Sequence, residues 1–502
     1  MKNSLAKNTV YKTILNICNI IIPIIVGPYV LRVLDRSYYD LFNSLNADFA
    51  ILLVVGGFGI YTYGVREISR VREDKAKVSK LFSELFFIGV VTNLLVMAGY
   101  ITYAFLSSGG DNLKKYLCLI LAIQFLGNIF NEEWINEANE NYRFIAIKSI
   151  LIRILYLVSI FVLVRKANDI LAYVGLLTGS TVLNMFVSFL YISRKNKITV
   201  KGLQFKKHLL PLLIIFIISN VAILYAQSDK IMLKYFVHDA GASVTSYQIS
   251  QYISSLIYNL LIPIVIVSLP RLANLFVKDK DQCYETHSRV YNTYLVLAIP
   301  SLVGAALLST EIIMLYGGDK YMDCVTPLAI YTIAQLMSSG CYIFGDAFMY
   351  ITGHEKNLLI NNLIGGIVNI SMNFIFIACG IFNTSLAVLS IAVAYFVAAL
   401  LDYIYIRWKI KYKLRVLNKH SLLYVVASLS FIPIVLGVKN FHLNIFVTIA
   451  VDIIACAGLY FLALMVFDDQ IFKGLFDRFI GRFFKRRRKV ENKEWKTSCS
   501  LS

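Results

Sequence analysis

From about residue 10 to about residue 467 the chain is a succession of apolar runs separated by short polar breaks. A helix needs roughly 20 consecutive apolar residues to cross a bilayer core. Fourteen runs meet that need, near 10–34, 41–65, 81–106, 115–137, 144–164, 170–192, 208–236, 245–270, 288–314, 323–350, 357–379, 385–406, 421–437 and 445–467. They are numbered spans 1 to 14 below. The pattern predicts an all-α polytopic membrane protein with about 14 transmembrane helices. The opening MKNSLAKNTVYK resembles the basic start of a signal peptide, yet no small-residue cleavage site follows and the run continues through Val33. The segment is therefore expected to stay on the protein as the first helix.

Composition agrees. Of 502 residues 58% are hydrophobic and 16% charged, and mean hydropathy is +0.67, values suited to a multi-span membrane protein and not to a soluble domain. The eight cysteines are scattered, mostly inside predicted helices and without a C-x-x-C pair. They read as small apolar packing residues.

A net charge of +19 raises the question of nucleic acid, but the distribution of the charge answers it. Basic residues gather in alternate loops, in REISRVREDKAKVSK, RKNKITVKGLQFKK and RWKIKYKLRVLNK, and in the tail; SSGGDN, HDAGAS and CGIFN carry few. That alternation is the positive-inside pattern, so both termini are expected in the cytoplasm and no nucleic-acid partner is implied. In the tail, QIFKGLFDRFIGRFFKRRRK sets Phe472, Phe476, Phe479 and Phe483 at helical spacing among basic residues. This fits either a helix lying on an anionic leaflet or a plain stop signal.

An internal repeat organises the rest. Laying LRVLDRSYYDLFNSLNADFAIL on LKYFVHDAGASVTSYQISQYISSL puts Arg32 on Lys234, and further on Arg66 falls on Arg271. IFNEEWINEANENYRF on IFGDAFMYITGHEKNL puts Glu132 on Asp346. The offset of about 200 residues is six helices, an even number, so the halves form parallel repeats related by an axis along the membrane normal. The expected division is a first lobe 1–206, a second 207–419, two appended helices in 420–468 and a basic cytoplasmic tail 469–502. Substrate paths in such proteins usually run between the halves.

Charges inside the spans carry the functional signal, since each costs several kcal/mol in hydrocarbon unless it meets water or a partner. The basic ones are Arg32, Lys230 and Lys234 toward the outer ends of spans 1 and 7, Arg66 and Arg271 at the inner ends of spans 2 and 8, and Lys148 and Arg153 in span 5. The acidic ones include Asp48, Glu132, Glu133, Asp229, Asp346, Asp402 and Asp452. Singly, residues near an interface are explained by snorkelling, and Asp229 beside Lys230 by an ion pair. Arg153 lies about 13 Å along its helix at 1.5 Å per residue and should face a wet interior. Together, basic residues at matching places in both halves describe a cavity that attracts an anion, and arginine forks suit phosphate oxygens. Pro23 and Gly27-Pro28 are expected to interrupt span 1, and Pro263 and Pro270 span 8. Gly56, Gly57 and Gly59 permit bending or close approach in span 2. No Walker, zincin or dinucleotide motif is present, so the sequence implies neither cofactor nor metal.

NSL, PYVLRVL, GIYTYGVREISRVRED, NYRFIAIKSILIRIL, DKIMLKYF, SLPRL and LYGGDKYMDCVTPLAIY follow one another along the chain. Their order resembles that of the polysaccharide biosynthesis flippases of the multidrug/oligosaccharidyl-lipid/polysaccharide exporter superfamily, the Wzx type. After span 1 the family usually has R-V-L-G and a glutamate-glycine pair, where this chain has Asp35 and Ser37-Tyr38-Tyr39. The resemblance implies two six-helix lobes forming a V, plus two extra helices. It implies as substrate an undecaprenyl-diphosphate-linked oligosaccharide, moved to the outer leaflet for capsule, O-antigen-like or teichoic polymers, with membrane lipids and polymer assembly proteins as partners. In that reading Arg66 and Arg271 receive the diphosphate, Lys148 and Arg153 line the path, and Arg32, Lys230 and Lys234 guide it out. Asp48, Glu132, Asp229 and Asp346 serve gating or ion coupling, with Glu132 and Asp346 pairing to Arg66 and Arg271 at a closed inner mouth. A cation-coupled drug exporter of the same superfamily and a membrane glycosyltransferase or polymerase are the alternatives.

Overall fold

The computed structural model describes residues 2–475 except 201, 413–415, 417 and 442, and for 2–10 and 218–226 the backbone alone. No strand occurs among the described residues. Among the described residues thirteen segments are long and apolar enough to span a membrane. They are Tyr11–Val33, Arg36–Val71, Lys75–Ser107, Asn112–Ala138, Tyr142–Leu163 and Ile170–Lys195 (spans 1 to 6), then Ala240–Lys278, Lys280–Leu307, Asp319–Met349, Glu355–Ala378, Thr384–Trp408, Lys419–Lys439 and Ile445–Val466 (spans 8 to 14). Span 7 is the 31-residue helix Lys206–Phe236. The chain is thus an all-α, multi-pass membrane protein, and each predicted run coincides with a helix. The face bearing the basic loops is called inner and the opposite face outer.

Polar caps set the ends. Asp35 accepts from the Ser37 amide at 2.8 Å and starts span 2 at Arg36, ahead of the apolar run. Asp74 receives the Ala76 and Lys77 amides, and Asp111 those of Leu113 and Lys114. Such caps satisfy amides that have no partner inside the helix. The bonds from Ser37 to Asp35, and from Lys77 to Asp74, hold both carboxyls below the usual carboxylate range.

Several spans depart from α geometry. Span 2 breaks after Gly57: Phe58 has φ 44° and Gly59 φ 71°, and a new helix runs Ile60–Val71. Span 7 lies so close there that a Cβ on Gly59 would stand 2.9 Å from the Phe216 amide nitrogen, so glycine is required on both counts. Span 4 leaves the helix after Ile129 and resumes as Glu133–Ala138. Span 8 breaks at Ile262 and again before Leu269, beside Pro263 and Pro270. Span 10 becomes a π-helix over Cys341–Met349, a geometry that recurs at functional sites. Glu132 and Asp346, aligned in the expected repeat, both lie at helix irregularities. Span 1 corrects the expectation drawn from its prolines: Lys2–Val33 is one helix with Pro23 and Pro28 inside it. A proline removes one backbone bond, and neighbouring groups in a membrane protein can absorb that loss without ending the helix.

Two compact units are present. The first comprises Met1–Ile249, Ile313–Pro327 and Asn362–Ile391, the second Ser250–Ile312, Leu328–Asn361 and Ala392–Ser502. The first has one core around Phe49, Tyr100, Leu121 and Phe125 and another around Phe82, Leu85, Trp134 and Leu212. In the second, Tyr291, Tyr294 and Phe348 pack with Tyr424 and Tyr460 of spans 13 and 14. Tyr460 bonds the Val296 carbonyl at 2.8 Å and Asn418 bonds Asn292 at 2.9 Å, fixing the appended helices to span 9. Large apolar side chains such as Leu95, Leu106, Leu155 and Ile454 are exposed, as lipid-facing residues must be. None of the seven described cysteines is in a disulfide. Phe472 is buried against Phe461; the rest of the expected aromatic and basic tail helix, from Phe476, lies outside the described residues.

Candidate functional site

At the outer end of the first unit, two arginines from the ends of spans 1 and 2 engage the segment 313–327. Exposed Arg32 donates to the Leu315 carbonyl at 2.7 Å. Arg36 bonds Asp323 at 2.7 Å and Asp40 at 3.3 Å, donates to the Lys320 carbonyl, and lies 5.1 Å from the Tyr321 ring centre. Lys320 returns a bond to the Leu34 carbonyl at 2.8 Å. Arg36, Lys320, Asp323 and Asp40 were not foreseen as site residues. The available signal was the run DKYMDC, which sets three charges just ahead of the apolar part of span 10.

Deeper in the same unit, Lys234 of span 7 is paired with Asp48 of span 2. Tyr103 of span 3 donates to the same carboxylate at 2.7 Å, and its hydroxyl lies 3.2 Å from that of Tyr235. The repeat aligned Lys234 with Arg32, but the fold employs them differently: the ammonium is neutralised by an acid, the guanidinium caps a carbonyl. One turn further in, Asp229 is wholly buried and accepts from Tyr247 at 2.8 Å and Asn373 at 2.6 Å. Ser390 links Asn373 to Asn369. Lys230, next in sequence, is buried as well.

Spans 4, 5 and 6 meet at Lys148. Its ammonium reaches both Glu133 oxygens at 2.8 and 3.0 Å, Ser188 at 2.8 Å and the Asn184 carbonyl at 3.1 Å. Ser188 also donates to Glu133. Glu132, beside it in the break of span 4, is 3% exposed, and its Oε2 lacks a hydrogen-bond partner among the described residues. Arg153 is half-buried along span 5.

On the inner side Arg66 is exposed, bonds Glu67 at 2.9 Å and lies over Tyr63. Glu67 also holds Arg70 at 3.0 Å. Tyr63 contacts His208 at 2.8 Å, and His208 contacts Glu84, again at 2.8 Å, while Glu84 also takes Lys207 and the Gln204 amide. This buried chain fastens the loop between spans 6 and 7 to span 3, and it too was unforeseen. In the second unit, Arg271 is exposed near the start of Leu269–Lys278, and Asp346 is exposed on the π-helix. Among the described residues no group of three or more His, Cys, Asp or Glu is placed to hold a metal.

The arrangement sorts the expected anion ligands. Lys148 and Lys234 have carboxylate partners in the interior and Arg32 a carbonyl, while Arg66 is exposed with Glu67 beside it and Arg271 is exposed without an ion pair among the described residues. Open guanidiniums bind phosphate oxygens by charge-assisted, often bidentate, hydrogen bonds.

Comparison with known proteins agrees with this picture. The chain is similar to proteins named "Putative O-antigen transporter" from Escherichia coli (strain K12), 22% identical over 386 residues, and from Shigella dysenteriae, 23% identical over 377. The first match covers 74% of this chain and 90% of the relative, the second 73% and 92%. Among solved structures, the lipid II flippase MurJ in an inward closed conformation matches with TM-score 0.72 at 17% identity, covering 92% of this chain and 98% of that one. An inward-facing multidrug resistance MATE family transporter of the MOP superfamily matches with TM-score 0.57 at 13% identity, covering 77% and 98%. The fold is therefore the MurJ and MATE fold. The sequence profile of polysaccharide biosynthesis proteins matches residues 5–276, more than half of the chain, and the chain belongs to that family.

Proposed function

We propose that this protein is a flippase for undecaprenyl-diphosphate-linked oligosaccharides, moving them from the cytoplasmic to the outer leaflet for assembly of a surface polysaccharide such as capsule or a teichoic polymer. The observation that carries the reading is its similarity, over 74% of its length, to proteins named O-antigen transporters. The charged residues give the reading a chemistry. Exposed Arg66 and Arg271 take the diphosphate at the inner side. Arg153 and Lys148 line the path, Lys148 with Glu133 as its counter-ion. Arg32, Lys230 and Lys234 guide the anion outward, Lys234 exchanging Asp48 for phosphate oxygens as it passes. Binding energy to the moving anion is spent on separating existing pairs, so passage and rearrangement are linked. Both termini are cytoplasmic in this orientation.

Depleting the protein and identifying the lipid-linked saccharide on the cytoplasmic leaflet tests the reading. Accumulation of a complete repeat unit there is expected; depletion that changes no lipid-linked saccharide would overturn it.

A further inference from the structure

Asp402 of span 12 is 0% exposed. Its Oδ1 accepts from Asn361 of span 11 at 2.8 Å. Its Oδ2 is also buried and has no hydrogen-bond partner among the described residues. This oxygen points at Gly345, in the middle of the π-helix of span 10: a Cβ built there would stand 2.6 Å from Oδ2 and 2.6 Å from a Leu358 methyl. The titratable groups facing it are both on the π-helix. Asp346, next to Gly345, is exposed, and Cys341 is held through its thiol to the Tyr395 carbonyl at 3.1 Å. No cationic side chain interacts with it among the described residues.

A carboxylate buried with one oxygen bare and no cation beside it is among the most expensive states a membrane interior can hold. Either a metal ion or a proton must neutralise it. The space in front of Oδ2 is bounded by the Gly345 backbone and the Leu358 methyl, and Oδ1 faces an amide donor, so the oxygen cage that sodium or a divalent cation requires is missing from this corner. A proton needs no cage.

We propose that Asp402 is a proton-binding site of the second unit, loaded in the packing seen here and served by Asp346. On release the Oδ2–H bond breaks and the proton forms an O–H bond on water entering the opened contact, which passes it to the exposed Asp346 carboxylate and on to solvent; Asp402 is left with a negative charge and Asp346 regains its own. Two nearby carboxyls sharing one proton in this way titrate as a unit. The newly charged Asp402 cannot stay dry, so proton release is linked to opening of the contact among spans 10, 11 and 12. The irregular π-helix is the element able to move. This goes beyond the flippase reading and holds whatever the protein carries.

The test is infrared spectroscopy of the full-length protein in liposomes at neutral pH. The expected result is a protonated-carboxyl carbonyl band that is lost in Asp402→Asn, retained in Asp452→Asn, and bleached at alkaline pH with a midpoint displaced by Asp346→Asn. Identical carbonyl regions for the wild type and Asp402→Asn would overturn the assignment. Gly345→Ala gives a second reading if Asp402→Asn does not fold, because the added methyl presses on Oδ2 and must shift the band; an unmoved band also overturns it. So would thermal stabilisation by sodium chloride over choline chloride in the wild type that disappears in Asp402→Asn, since the occupant would then be a metal cation.

Discussion

Lys234 near the end of span 7 pairs with Asp48 of span 2, and each side chain is only 11% exposed. Removing one member of such a pair leaves an uncompensated charge, a loss of about 3–5 kcal/mol when burial is complete and less here. Asp48→Asn and Lys234→Met are each expected to lower the thermal transition. The double replacement should recover part of the loss, giving a coupling of about 1 kcal/mol or more in a double-mutant cycle. Additive losses would show that the pair does not hold spans 2 and 7.

Arg66 and Arg271 stand exposed at inner helix ends. Hydrogen bonds to charged groups contribute about 1.5–3 kcal/mol each, so Arg66→Ala with Arg271→Ala should reduce transport by at least about 100-fold at unchanged protein level. Polymer output equal to wild type would remove both residues from the diphosphate site.

Arg36 joins Asp323 and Asp40 at the outer end of the first unit. Asp323→Arg alone should impair transport, and Arg36→Asp added to it should restore much of the activity. Failure of the reversal to improve on either single variant would assign the defect to something other than their mutual attraction.

Asp35 caps span 2, and its bond from Ser37 lowers its carboxyl below the usual range. A depressed folded value means stability that is present above the unfolded value and lost as pH falls through the folded one. Asp35→Ala should cost about 1 kcal/mol at neutral pH, as a lost N-cap does. The difference from wild type should shrink on acidification, measured as paired thermal transitions; a difference that grows instead would contradict the cap.

Gly59 has φ 71° and meets span 7 backbone to backbone. Gly59→Ala should destabilise by more than the roughly 1–2 kcal/mol of left-handed strain alone, read from the denaturation midpoint. A neutral effect would show that the break in span 2 can relax.

The spans were legible because the bilayer imposes a length and composition that each run meets independently of the fold. Their breaks were only partly so. Pro263 and Pro270 marked the irregularities in span 8, whereas Pro23 and Pro28 are absorbed within one helix, and nothing in residue type announced the positive φ of Phe58 or the π-helix at Cys341–Met349. The intramembrane charges could be picked out one by one, since each is costly. Their partners could not: Asp48 lies 186 residues from Lys234, Glu84 124 from His208 and Arg36 287 from Asp323. Pairing over such separations is decided by helix packing, which no local pattern encodes. Arg36 carries no such cost, since it stands just past an apolar run, where a solvated loop is the simplest reading.

The most direct test is translocation in proteoliposomes holding the purified protein and the lipid-linked saccharide that accumulates on its depletion. Moved saccharide is scored by its accessibility to an enzyme added outside. The wild type should carry the saccharide across the bilayer while Arg66→Ala with Arg271→Ala, folded to the same thermal transition, should not. A folded wild type that leaves the saccharide where it was loaded would contradict the account.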